Sequence, residues 1–165
     1  MLQEAITAWD MKSSKDIHAI YEQFKEVDNF QSDLIDTMTD TSLQRGATWL
    51  LKHHLENHAT LNTSEIKSIY QSIELFTHWE SKLHILQSLE YLSIPKEFKA
   101  TLELFIRPCL KSNKKLLRAW GYHGFYHLNK SFPEYSKETD LLLQKAMLDE
   151  SPSVIARINN LLKSR

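Results

Sequence analysis

Apolar residues recur at three- and four-residue steps along almost the whole chain, and alternating stretches are scarce. The pattern predicts helices throughout. A short one covers about residues 2–10. A second starts near Ser13 or Ser14 and carries Ile17, Ile20, Tyr21 and Phe24 on one stripe, with Ser13 and Asp16 spaced as a capping pair. A third, near 30–38, carries Leu34, Ile35 and Met38. Thr39 or Asp40 is expected to cap a long fourth helix through about Asn57. Thr63 is expected to cap a fifth with Ile66, Ile69, Tyr70 and Ile73, and a sixth runs from about 78 to 92. Pro95, Pro133 and Pro152 each open a further helical pattern, where a missing N–H is no loss. Ser151 stands before Pro152 as its N-cap. Pro108 falls late in its pattern and is expected to end or kink that helix before Cys109.

Paired, these segments form short-loop hairpins: about 30–38 with 40–56, 63–76 with 78–92, 95–108 with 112–129, and 133–148 with 151–164, the last running on toward Arg165. Loops of a few residues enforce antiparallel neighbours. Residues 1–29 read as a divergent N-terminal repeat or cap. No linker or composition break divides the chain, so 1–165 is expected to be a single helical-repeat domain.

The pattern is also periodic on a longer scale. Arg45, Lys82, Arg118 and Arg157 lie 37, 36 and 39 positions apart, each early in a predicted second helix. One position later stand Gly46, Leu83, Ala119 and Ile158. Four positions later stand Trp49, Leu86, Tyr122 and Leu161. Offsets of one and four share a helix face, and helix pairs at such a period signal stacked repeats. Over about residues 30–165 the chain resembles the HEAT-like repeats of the armadillo-type superhelix. The resemblance implies an all-α fold, an α-α superhelix (HEAT-like solenoid) of about four to five antiparallel helix hairpins. In that family a basic residue of the second helix commonly faces an acid near the turn between the helices. Arg45 has Asp40 nearby, and Arg157 has Asp149 and Glu150. Lys82 has only Glu80 close in sequence, and Arg118 has no acid in its own turn.

Charge excludes little. Lys and Arg number 20 against 21 Asp and Glu, so no global field favours nucleic acid or anionic lipid. A single cysteine, Cys109, allows no intrachain disulfide. No basic stretch and apolar core open the chain, and no run of about 18 apolar residues occurs, so a cytoplasmic protein with no membrane partner is expected.

Candidate chemistry is sparse. His54 and His58 are four apart, as are His123 and His127, a spacing that supplies half of a metal site. HEAT-like di-iron hydroxylases of the deoxyhypusine hydroxylase kind use repeated His-Glu pairs, and here no histidine is followed by glutamate. Neither that chemistry nor any cofactor is expected. No Gly-x-Ser-x-Gly elbow or Gly-rich phosphate loop occurs. The most unusual stretch runs from Arg118 to His127. It is aromatic and holds Gly121 and Gly124 mid-helix, each costing about 0.8–1 kcal/mol against alanine. Close approach of a neighbouring helix, or of a ligand, would offset that cost. Trp120, Tyr122, Phe125 and Tyr126 spread around the helix, so Trp120 or Tyr126 is expected at the surface as a contact anchor.

These observations favour a non-enzymatic scaffold or adaptor that binds a protein or peptide on a concave face lined by the second helices. Candidate contacts are Lys52, His53, Glu56, Trp120, His123 and His127. Two alternatives remain. A basic patch of Lys111, Lys114, Lys115 and Arg118 could serve nucleic acid, as in helical-repeat DNA alkylation glycosylases. The paired histidines could serve a metal or small ligand. Val154, Ile155, Ile158, Leu161 and Leu162 are a candidate homodimer stripe on the last helix.

Overall fold

The computed structural model describes residues 1–164, and they are all-α: ten α-helices and four short 3-10 turns, with no strand among the described residues. None of these helices is long and apolar enough to cross a membrane. Contacts divide the chain into two compact units, one from Met1 to Tyr91 and one starting at Leu92.

The first unit holds α1 (Leu2–Ala8), α2 (Ser14–Phe24), α3 (Phe30–Thr37), α4 (Gln44–Glu56), α5 (Thr63–Gln71) and α6 (Trp79–Ser88). Helices α1 and α3 pack together, as do α3 and α5; α2 packs on α4, and α4 on α6. Each helix therefore meets the helix two places on. The amphipathic stripes explain this: Ile17, Leu34, Leu50, Leu51, Leu55, Ile69 and Leu86 are all at most 1% exposed. Burying such a side chain is worth about 1.5–3 kcal/mol.

The second unit holds α7 (Lys99–Leu110), α8 (Lys115–Ser131), α9 (Ser136–Asp149) and α10 (Pro152–Lys163). Helix α8 packs on α7, α9 and α10, and α9 on α10. Ala119, Leu143, Ala146, Val154 and Ile158 form one buried cluster, with Tyr122 and Leu162 packed against it. Residue Arg165, toward which the last helix was expected to run, lies outside the described residues.

Helix ends show where local chemistry overrides simple pattern. Ser13 caps α2 as expected, its hydroxyl accepting from the Asp16 N–H at 3.1 Å. Helix α5 is capped one residue earlier than expected: Asn62 accepts from the Glu65 N–H and donates its own to the Glu65 carboxylate, a complete capping box. Asp40 does not cap α4. It accepts from the backbone and hydroxyl of Ser42 in a turn, and α4 begins only at Gln44. Helix α4 stops in a Schellman arrangement. His58 adopts φ 66° and donates to the Leu55 carbonyl, while Ala59 donates to that of His54.

Pro108 does not break its helix, contrary to expectation: α7 continues to Leu110. The ring sits in the final turn, and both Pro108 and Leu104, whose carbonyl loses its partner, are exposed. Little is forfeited there. Gly121 has a packing reason. A Cβ on it would lie 3.2 Å from the Leu110 nitrogen and 3.3 Å from the Cys109 carbonyl carbon, so its absence lets α8 approach the backbone of α7. Gly46 likewise admits Ile6, whose Cγ2 would lie 2.6 Å from an added Cβ.

Candidate interaction surface

The recurring basic positions find their partners in a register the sequence did not suggest. Arg45 pairs with Glu80 at the start of α6 and donates to the Met11 carbonyl at 3.2 Å, not to Asp40. Arg118 binds Glu150 through two nitrogens, at 2.8 and 3.0 Å, and donates a third bond to the Ser112 carbonyl. Thus Glu150 serves Arg118 rather than the expected Arg157, and Arg118 does have an acid, supplied by the following hairpin. In both pairs the carboxylate comes from 32 or 35 residues further on. Lys82 is half-exposed, and its nearby Glu80 is taken by Arg45. The neighbouring positions Gly46, Leu83, Ala119 and Ile158 are all buried.

In the first unit the second helices carry a ring cluster. His53 stacks on Trp49 at 4.8 Å between centroids and meets Tyr21 edge-on at 4.6 Å. His18 stands 4.9 Å away. Lys52 lies 5.7 Å over the Trp49 ring and pairs with Glu56 at 3.3 Å. Lys52, His53 and Glu56 are thus brought together at a partly exposed site, as expected. Burial pushes His53 below its ordinary value, with His18 adding to the effect.

His54 and His58 do not form a facing pair. His58 has left the helix, and His54 is buried, its Nδ1 3.1 Å from the Tyr21 hydroxyl and its Nε2 3.0 Å from the Gln31 amide. Both ring nitrogens are spent on structure. Burial lowers this imidazole too, and so holds it neutral. His84 on α6 lies 3.0 Å from the Thr48 hydroxyl and is pushed down to about 3 by burial.

In the second unit Trp120, His123 and His127 form a row along α8, with centroids 4.7 and 4.4 Å apart. Arg157 of α10 lies flat over Trp120 at 3.7 Å, and its guanidinium donates to His123 Nδ1 at 3.1 Å. His123 is buried and pushed down to about 3; His127 is pushed down to about 4, in both cases mainly by burial. A guanidinium on the Nδ1 lone pair, with its positive charge beside it, opposes a metal cation there. Among the described residues no group of three histidine, cysteine or acidic side chains is arranged to hold a metal.

Of the four aromatic residues of α8, Phe125 and Tyr126 are buried, while Trp120 and Tyr122 are half-exposed. Trp120 is therefore the accessible anchor, and Tyr126 is not. Trp120 and Arg157 wall a cleft of about 420 Å³ between α8 and α10, with Lys115, Leu116, Ala119 and Ala156. Simple periodicity gives no hint of this cleft, since Leu116 and Ala156 carry no chemical signature of their own. A second cleft of about 360 Å³ involves Arg107, Lys111, Tyr122, Lys145 and Glu150.

The expected basic patch loses one charge to an ion pair. Arg118 is neutralised by Glu150, while Lys111, Lys114 and Lys115 stay exposed. The expected dimer stripe is mostly interior: Val154, Ile158 and Leu161 are buried, leaving Ile155 and Leu162 half-exposed. No family model, curated protein or solved structure matches the chain.

Proposed function

We propose that the chain is a non-enzymatic, HEAT-like helical-repeat module that binds another polypeptide along the exposed parts of its second helices. The observation that carries this reading is the contact ladder within each unit. Even-numbered helices pack on even-numbered ones, with α2 on α4, α4 on α6 and α8 on α10. The cross-links between hairpins recur at 31 to 36 residues, from Gln44 with the Leu75 carbonyl to Thr48 with His84. Units that contact only their neighbours leave a repeated face free for recognition. In the first unit that face carries Trp49 and in the second unit Trp120, each with a cation over its ring. Large aromatic and cationic side chains of this kind dominate binding energy at protein interfaces.

The same geometry bears on the other readings. Burial depresses His54, His84 and His123, and each hydrogen-bonds to a neighbouring helix, which leaves them poor acid–base or ligand groups. Pairing of Arg118 with Glu150 removes one of the four charges on which nucleic-acid binding was built.

A photo-crosslinking residue at Lys52 or Leu116 tests the proposal, with Leu148 on α9, 85% exposed, as the control position. Crosslinks to a second polypeptide are expected from the first two sites in cells expressing the protein, and not from the third. Crosslinks only to nucleic acid, or to nothing, would defeat the reading.

A further inference from the structure

The cleft between α8 and α10 has a composition that specifies more than a generic surface. Its α8 wall is Lys115, Leu116, Ala119 and Trp120, and its α10 wall includes Ala156 and Arg157. Leu116 is 50% exposed at the mouth, an apolar side chain left in water where the first turn of α8 could have carried any polar residue. Ala119 and Ala156 keep the walls low, so the space stays open rather than filled. At about 420 Å³ it falls within the roughly 300–1,000 Å³ of clefts that take a compact ligand. Room of that size accepts one or two amino-acid side chains.

Charge then narrows the occupant. Among the described residues the lining includes two cations, Lys115 and Arg157, and no carboxylate. The nearest acids of the α9–α10 turn face elsewhere: Asp149 and Glu150 line the other cleft, and Glu150 is bound by Arg118. Ser153 and Asn160, one turn to either side along α10, complete the lining with neutral hydrogen-bonding groups. An apolar floor between two cations complements a segment in which an aromatic or aliphatic side chain is flanked by aspartate or glutamate.

We propose that this cleft is a docking site for an acidic-apolar peptide segment of a protein partner, the apolar side chain seated on Leu116, Ala119 and Trp120 and the flanking carboxylates meeting Lys115 and Arg157. This rests on the reading of the chain as a polypeptide-binding module and names the chemistry of its partner. Nucleic acid would also meet cations and an indole, but a net charge of −1 supplies no field to gather a polyanion, and the apolar lining would then face sugar and phosphate.

The test is selection of a displayed library of random dodecapeptides on the full chain. The peptides recovered are expected to join Asp or Glu to an aromatic or aliphatic residue. Synthetic fluorescein-labelled versions are expected to lose at least tenfold in affinity on Lys115→Glu and on Ala156→Trp, which fills the cleft. Leu148→Ser should leave binding unchanged. Lys115 and Ala156 are exposed, so both variants should fold, and far-UV circular dichroism and melting curves check this. Recovery of no peptides, of peptides without acidic bias, or of peptides indifferent to both cleft variants overturns the proposal. Labelled oligothymidine that binds with the same dependence on the two variants does so as well. Peptides that bind elsewhere sink the cleft alone, whereas the absence of any polypeptide crosslink sinks the module reading beneath it.

Discussion

The two units solve the same packing task with different chemistry. In the first, hairpins are tied by neutral rings: Tyr21 and Gln31 to His54, and Thr48 to His84. An ion pair between hairpins there joins Arg45 to Glu80. In the second, arginine and lysine dominate. Arg107 binds Glu138 at 2.7 Å, Lys99 binds Glu134, Arg118 binds Glu150, and Tyr135 donates to Glu103. The His123–Arg157 bond there depends on an imidazole. A similar sequence spacing is thus spanned by different kinds of bond in the two units. Helices that carry depressed imidazoles should be the more sensitive to acid, and the second unit the more sensitive to salt.

Acid should have the largest effect. His84 sits at about 3 in the fold against an ordinary 6.5, and burial depresses His53 and His54 as well. The unfolded chain therefore binds more protons as pH falls below 6.5, so this stability is complete above that value and drains away toward the folded pKa. At pH 5 the loss is about 2 kcal/mol for a ring such as His84. His123 and His127 add the same sign in the second unit. Between pH 6.5 and 5 the arginine-paired carboxylates Glu138 and Glu150 stay ionised, because pairing holds them below the usual range. Amide exchange in α4, α6 and α8, which carry the depressed imidazoles, should accelerate more over that interval than in α7 and α9. Equal acceleration would remove the distinction.

Two of the buried glycines, Gly46 and Gly121, sharpen the contrast in packing. An alanine at Gly46 meets the Cγ2 methyl of buried Ile6, and relief comes from a shift of the short helix α1 that carries it. A side chain at Gly121 meets the backbone of α7, which cannot easily yield. Gly121→Val should cost about 2–3 kcal/mol through overpacking. Gly46→Ala should cost less than half of that, since alanine recovers about 0.8–1 kcal/mol of helix propensity. Urea denaturation of the two variants measures both.

How much of this was legible beforehand follows the range of each interaction. Helix positions, and Ser13 and Pro152 at helix starts, rest on periodicity and on groups a few residues apart, so the chain displays them directly. Asn62 was passed over for Thr63 because both are good caps, and only Glu65 three residues beyond Asn62 decides between them. The repeated basic positions were visible, but their acids were sought in the same turn. The carboxylates come instead from the next hairpin, a distance that spacing alone does not rank. The candidate site was half legible. Lys52, His53 and Glu56 share a helix face and do meet, and Trp120 is accessible. The α8–α10 cleft was not legible, because it depends on what Ala119 and Ala156 leave unfilled.

The repeated arginines offer a matched test at lower energy. Glu150 is 11% exposed and also accepts from the Tyr122 hydroxyl and the Ser151 N–H. Removing its arginine in Arg118→Met leaves a mostly buried carboxylate without its cation, at a cost of about 1–3 kcal/mol. Arg45 and Glu80 are 27% and 29% exposed, and water compensates more of the loss. Arg45→Met should therefore cost under about 1 kcal/mol. A reversed order would mean that the Met11 carbonyl, not Glu80, is the partner that matters to Arg45.

Salt should give the smallest effect and the cleanest separation. Raising sodium chloride from 0.1 to 1 M shortens the screening length from about 10 to about 3 Å. The Lys99–Glu134 pair is a third or more exposed on both sides, as is the Arg107–Glu138 pair, so each should weaken. Their worth at such exposure is a few tenths of a kcal/mol each. The neutral links of the first unit have no charge to screen, and its buried apolar seams are indifferent or slightly strengthened. Residue-resolved exchange should show faster opening of α7 and α9 at 1 M salt and unchanged or slower opening of α2 and α4. Faster opening of α2 and α4 instead would mean that charge is screened there, either at the Arg45–Glu80 pair of α4 or at a protonated His54, and Arg45→Met separates the two: if the salt effect survives that substitution, the neutral imidazole on which the acid prediction depends is the wrong protonation state.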